Sequence, residues 1–215
     1  MATAHIDTFA FDNLPPAALQ PEYLFELPEL QFPAQLNCAT ELLDKHVAQG
    51  RGGRTCLRAP GLAWTYADLQ DKANRIANVL VRDMGLVPGN RVLLRAPNNP
   101  MLVACWFAVM KAGGIAVATM PLLRAKELKA TVEIGQVTHA LCDAALGEEL
   151  QQTAIATPLL KHIRHFNYSG PDSLEALMAR APAQFDNVAT ASDDTCLFGF
   201  TSGTTGVPKA TMHFH

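Results

Sequence analysis

The sequence has no excess of positive charge: seventeen Lys and Arg stand against twenty Asp and Glu, for a formal net charge of -3. That balance supplies no field to gather a polyanion, so non-specific nucleic-acid binding is disfavoured. Paired cysteines are also lacking. Cys38, Cys56, Cys105, Cys142 and Cys196 stand singly in apolar stretches, without the spacing of metal ribbons or redox dithiols, and are expected to be reduced core residues. The opening residues carry Asp7 and Asp12 but no Lys or Arg ahead of an apolar run, so the layout of a secretory signal is missing and a cytoplasmic protein is the expectation. A membrane span is imitated only by residues 101–123. Lys111 and the pair Gly113-Gly114 would place a charge and a helix-weakening step at the bilayer centre, so a helix ending at the glycines followed by a buried strand is preferred. Neither an internal repeat nor a low-complexity block is found.

What is present is a chain of 215 residues, 49% hydrophobic and 17% charged, enough for one substantial core in one or two compact domains. Residues 1–36 carry Pro15, Pro16, Pro21, Pro28 and Pro33 without sustained periodicity and predict an arm laid over something larger. From Asn37 the pattern is helical, with Ala39, Leu42, Leu43, His46 and Val47 on one stripe ending at Gly50. Strand-like runs on either side of Pro60-Gly61 predict a hairpin, and Thr65 to Asp68 has a capping-box form before a helix that stops at Gly85. Strands at 91–94, 115–118, 139–142, 163–166 and 196–200 then alternate with helices at 98–112, 126–134, 147–152 and 173–181. Apolar strands alternating with helices predict an α/β fold with an open, largely parallel sheet flanked by helices, whose ligands gather at the carboxyl ends of the strands.

The chemistry concentrates after the last of these strands. Thr201-Ser202-Gly203-Thr204-Thr205-Gly206-Val207-Pro208-Lys209 follows a buried-looking run. Gly203 and Gly206 can take positive φ and let backbone N–H groups converge on an anion. Thr201, Ser202, Thr204 and Thr205 add hydroxyl donors, and Lys209 the compensating charge. The Walker form is not met, because Pro208 precedes the lysine and Ala210 follows it. A Gly/Thr-rich surface loop is the bland alternative; the ordered hydroxyl, glycine, proline, lysine string is far more specific than a lone glycine pattern. His213 and His215 alternate as strand neighbours and, without further ligands nearby, make a poor metal site, as do His162 and His165. Lys111 reads as a helix-end charge.

These residues resemble the phosphate-binding signature of the adenylate-forming superfamily, which includes acyl-CoA synthetases, luciferases and peptide-synthetase adenylation domains. Trp64 to Leu69, and Lys111-Ala112-Gly113-Gly114 leading to Pro121-Leu122, agree in order and spacing. The resemblance covers residues 37–215, and the proline-rich arm resembles the aromatic acid-CoA ligase branch. So do Leu27-Pro28-Glu29-Leu30, Pro97-Asn98-Asn99-Pro100, Thr119-Met120-Pro121-Leu122-Leu123 and Ala210-Thr211-Met212-His213-Phe214-His215. Ala210 departs from the glycine usual after the motif lysine.

The resemblance implies a two-step ligase using ATP, Mg²⁺ and coenzyme A on a small aromatic carboxylate, 2-aminobenzoate or benzoate. Thr201, Ser202, Gly203, Thr204, Thr205, Gly206 and Lys209 would hold phosphate, and His215 is an acyl-pocket candidate. It further implies that residues 37–215 are the N-terminal portion of an AMP-binding domain, with the remaining active-site segments and C-terminal domain lying after His215 and the 215 residues inactive alone. No catalytic residue is assigned within them, no metal ligand is assigned, and neither a nucleic-acid nor a membrane partner is expected. A ligase for another carboxylate, a stand-alone phosphate- or nucleotide-binding module, and an inert loop on a partner-binding fold remain open.

Overall fold

The computed structural model describes residues 3–22, 24–201 and 208–215. A helical stretch over residues 38–51, with π turns at Thr40–Asp44 and Val47–Arg51, leads into a two-stranded antiparallel hairpin, β1 (Thr55–Ala59) and β2 (Leu62–Thr65). Gly61 turns the hairpin at φ 69°, a conformation that costs glycine little. Five more strands, β3 (Arg91–Arg95), β4 (Ile115–Thr119), β5 (His139–Asp143), β6 (His162–Phe166) and β7 (Thr195–Thr201), run parallel in one sheet, and β8 (Lys209–Phe214) adds antiparallel to β7. The order is β6-β5-β3-β4-β7-β8. The largely parallel sheet predicted from the alternation is therefore the one observed.

Capping chemistry sets the main helices. In α2 (Tyr66–Arg82) Thr65 and Asp68 form the reciprocal capping box. In α3 (Pro100–Lys111) the Asn99 side chain accepts from the Leu102 N–H, and Pro100 fills the first turn, where its missing N–H costs nothing. Ser173 caps α6 (Leu174–Arg180) in the same way. Helices α4 (Ala125–Gly135) and α5 (Gly147–Ala156) complete the layers, and a single turn, Phe9–Asp12, precedes them all.

Strand residues divide between two cores with period two. Val92, Leu94, Ala116 and Leu141 pack with α2, α3 and α6, whereas Leu93, Ile115, Val117, Ala140 and Phe198 pack with Val132 of α4 and Leu150 of α5. Connections that step across the sheet one way, β3 to β4 and β6 to β7, place their helices on the first face. Those that step back, β4 to β5 and β5 to β6, use the second. The direction reverses beside β3, and such reversals are where open α/β sheets form ligand crevices.

Residues 101–123 form α3 and then β4, as read from Gly113-Gly114, with Gly113 at φ 67°. Among the described residues no helix is long and apolar enough to cross a membrane. The proline-rich stretch is fixed at both ends and exposed between them. Ile6 and Asp7 N–H groups donate to Pro88 O at 3.0 Å, Asp7 pairs with Arg91 at 2.6 Å, and Gln35 bridges Ala191. Leu19, Leu24, Leu27 and Phe32 between them are exposed.

Candidate functional site

The candidate loop is held by the turn end of the β7–β8 hairpin. Thr201, the last residue of β7, pairs in register with Lys209, the first of β8, and its hydroxyl reaches Lys209 O at 3.5 Å. Both are exposed. The intervening Ser202, Gly203, Thr204, Thr205 and Gly206 lie outside the described residues. Since β7 runs parallel to β3, β4 and β5, the loop leaves from the carboxyl edge of the sheet.

Other polar groups gather at that edge, and the hydrogen bonds show which are spoken for. Arg95, at the end of β3, is 1% exposed and donates to the carbonyls of Met120, Pro121, Leu123 and Leu146. Burial lowers its affinity for a proton below the usual arginine value, and the four carbonyls satisfy the guanidinium where water cannot. It clamps the turn after β4. Asp143, at the end of β5, accepts from Asn99 Nδ2 at 3.0 Å, Asn167 Nδ2 at 2.6 Å and Ala145 N–H at 3.0 Å, tying three loops together. Thr119 closes β4 by donating to Leu94 O at 3.2 Å. Lys209 is different: it is exposed and, among the described residues, makes no ion pair. Hydroxyls and one uncompensated lysine are the donor set a polyphosphate requires.

Sequence reading did not single out Arg95 or Asp143. The available signal was a charge closing an otherwise apolar strand, in Arg91-Val92-Leu93-Leu94-Arg95 and His139-Ala140-Leu141-Cys142-Asp143. A small polar cleft lined by Asn78, Arg82 and Arg180 sits at the carboxyl ends of α2 and α6, near the amino edge of the sheet, away from Thr201 and Lys209.

His215 follows β8 and lies at the other end of that strand from Lys209. Its Nδ1 accepts the Cys38 N–H at 3.1 Å and its own N–H donates to Asp194 O, while Nε2 is buried without a partner among the described residues. The sequence also treated the cysteines as isolated core residues. Cys105 and Cys142 fit that description, but Cys38 and Cys56 are only half-buried, and the fold brings Cys38 to Cys196 and His215. Sequence separation hides such a meeting, because Cys38 opens a helix and Cys196 lies on β7.

An open, largely parallel α/β sheet, with a hydroxyl- and glycine-rich sequence after β7 and an exposed lysine at its carboxyl edge, belongs to the open-sheet class whose ligands gather at the carboxyl ends of the strands. The chain belongs to the AMP-binding enzyme family, which matches residues 44–215. Its relatives include the benzoate–CoA ligase of Thauera aromatica, 29% identical over 188 residues, covering 87% of this chain and 36% of the relative. The 3-hydroxybenzoate–CoA/4-hydroxybenzoate–CoA ligase of the same organism is also 29% identical, with 87% and 36% covered. The chain thus spans about a third of the length of the curated relatives it matches. Among solved structures, the anthranilate CoA ligase AuaEII in complex with anthranoyl-AMP superposes with TM-score 0.80 at 24% identity over 86% of this chain and 36% of that one, a likeness of fold. ATP-bound MatB from Rhodopseudomonas palustris gives 0.73 at 27%, with 83% and 35% covered.

Proposed function

We propose that this chain is the N-terminal part of an ATP-dependent aromatic acid-CoA ligase, with residues 1–36 as its arm and residues 37–215 as the first portion of its AMP-binding domain. The observation that carries the reading is the exposed Lys209, without an ion pair among the described residues and paired in register with Thr201 at the sheet's carboxyl edge, in a chain of the AMP-binding family. A carboxylate is a poor electrophile until one oxygen belongs to a good leaving group. Transfer to the α-phosphorus of ATP supplies one, and charge then develops on departing pyrophosphate. Thr201, Ser202, Thr204 and Thr205 hydroxyls, the Gly203 and Gly206 backbone and the Lys209 ammonium would hold the β- and γ-phosphates and stabilise that charge. Bound Mg²⁺ supplies further neutralisation of the phosphates. The coenzyme A thiol then displaces AMP to give the thioester, with no cysteine nucleophile from this chain.

The aromatic carboxylate is supported by the benzoate and hydroxybenzoate ligases among the relatives. Within that class, 2-aminobenzoate rests on residues 27–30, 97–100, 119–123 and 210–215, and benzoate is its nearest competitor. His215 is assigned to the acyl side of the site on the same basis.

The test is carboxylate-dependent ATP–pyrophosphate exchange by the full-length protein with 2-aminobenzoate, benzoate and a short aliphatic acid. Exchange is expected with the aromatic acids, and Lys209→Ala is expected to lower it by about 10²- to 10³-fold, the cost of removing one preorganised charge-stabilising donor. Exchange only with the aliphatic acid defeats the aromatic reading. Unchanged exchange in the variant defeats the role of the loop. The 215 residues alone are expected to give none.

A further inference from the structure

The family reading uses none of the five thiols, and the fold brings two of them together. One ligand-type atom from each of Cys38, Cys196 and His215 lies within 4.8 Å of the other two. Cys38 is half-buried in the first turn of the helical stretch over residues 38–51, whose start is capped by Asn37 Oδ1 accepting from the Ala39 N–H at 3.0 Å. Cys196, 3% exposed, lies beneath it on β7. The Cys196 and Cys38 sulfurs lie within 4.8 Å of each other, and the His215 ring adjoins both. A half-buried cysteine at a helix start, with a buried thiol against it, is the layout of an attacking and a resolving cysteine.

We propose that Cys38 and Cys196 form a redox-modification site, in which a peroxide oxidises Cys38 and Cys196 resolves the product as an intramolecular disulfide. The Cys38 sulfur attacks one oxygen of hydrogen peroxide and the O–O bond breaks. Cys38 becomes a sulfenic acid, and the departing hydroxide takes up a proton as water. The Cys196 sulfur then attacks the Cys38 sulfur, the S–S bond forms, and the sulfenic oxygen leaves as a second water carrying the thiol proton. Two electrons pass from the thiols to the peroxide.

The electrostatics separate these sulfurs from the other three. The neighbouring Cys196 thiol, and after it the His215 ring, draw the Cys38 thiol below the usual cysteine value, whereas Cys196, buried against Cys38, is pushed up. Burial raises Cys56 and Cys105, and raises Cys142 to about 12. The three atoms also offer ligands to a thiophilic cation, but His215 Nδ1 already accepts the Cys38 N–H. Ligation through Nδ1 breaks that bond, and ligation through Nε2 moves the ring proton to Nδ1, facing the same N–H. Disulfide chemistry requires neither change.

The test uses the reduced full-length protein and hydrogen peroxide, followed by intact mass and non-reducing peptide mapping, and does not depend on ligase activity. The expected result is a two-hydrogen mass loss, a Cys38–Cys196 linked peptide and recovery with dithiothreitol. Cys196→Ser is expected to stop at a Cys38 sulfenic acid that dimedone traps, and Cys38→Ser to form neither product. Iodoacetamide at neutral pH should alkylate Cys38 at least about tenfold faster than Cys56, the other half-buried thiol. Mapping of the unmodified sequence decides without the variants. Prior oxidation of Cys56, absence of the linked peptide, or stoichiometric zinc that blocks alkylation until chelated would each overturn the proposal.

Discussion

Lys111 closes α3 with its side chain 1% exposed, and its ammonium meets Asp44 at 2.6 Å and Asn187 Oδ1 at 3.2 Å. Burial pulls its proton affinity down and Asp44 pulls it back up. Asp44 is less dependent on the pair: it is 21% exposed and also accepts from Gln70 Nε2 and Asn187 Nδ2, each at 2.7 Å. The two halves of the pair should therefore respond differently to removal. Asp44→Ala strands a buried cation and is expected to cost about 3–5 kcal/mol of unfolding free energy; Lys111→Met leaves a carboxylate still hydrated and hydrogen-bonded, and should cost much less. Urea denaturation of both variants checks this, and equal losses would mean that the lysine is not the desolvated partner. A helix-end charge was legible in Lys111 because position alone gives it. Its burial was not, because Asp44 and Asn187 come from distant segments whose meeting only the fold decides.

At the scale of elements, what reads from sequence is what local chemistry fixes. Thr65 with Asp68, Asn99 with Pro100, and Pro60-Gly61 each carry their own start or stop within a few residues. The π turns in residues 38–51 leave no such mark, since the same apolar stripe suits an ordinary α-helix. The arm is intermediate: its prolines agree with regular structure limited to single turns at Phe9–Asp12, Ala17–Leu19 and Pro28–Leu30, but its anchorage depends on Gly89. That glycine has φ 89°, and a Cβ there would stand 2.2 Å from Asp7 O and 3.1 Å from His5 Cβ. Gly89→Ala thus adds backbone strain to a collision with the arm, and about 1–3 kcal/mol of destabilisation is expected. Hydrogen exchange should show the Ile6 and Asp7 amides, both bonded to Pro88 O, losing protection before the sheet does. Asp7→Ala removes the Arg91 ion pair without the collision and should release them less. Full protection in Gly89→Ala would show that the arm is held elsewhere.

Across the whole molecule, buried histidines give the fold a sensitivity to acid. His139, 3% exposed, lies between the Thr138 hydroxyl at 2.8 Å and Met84 O at 3.0 Å, and stacks on His162 at a centroid distance of 4.7 Å. Burial, with His162 and Arg91 nearby, lowers its pKa from 6.5 to about 4, against a partial restoring effect from Met84 O. His5 and His165 are lowered too, chiefly by burial. An unfolded histidine takes up its proton at a higher pH than these folded ones, so the unfolded state gains as acid is added. The contribution of His139 is fully present above its unfolded value and is lost progressively as pH falls from 6.5 towards about 4. Asp7 and Asp194, held below the ordinary carboxylate value of 3.8, give way only in stronger acid, which separates the two windows. Between about pH 7.5 and about pH 5, His139 alone should remove roughly 2 kcal/mol. His139→Phe retains a ring to lie against His162 and has no proton to gain. It should start less stable, having lost the hydrogen bond to Met84 O, and fall less steeply over that interval in denaturant titrations at the two pH values. Parallel decline in the two proteins would move the acid sensitivity to His5 and His165.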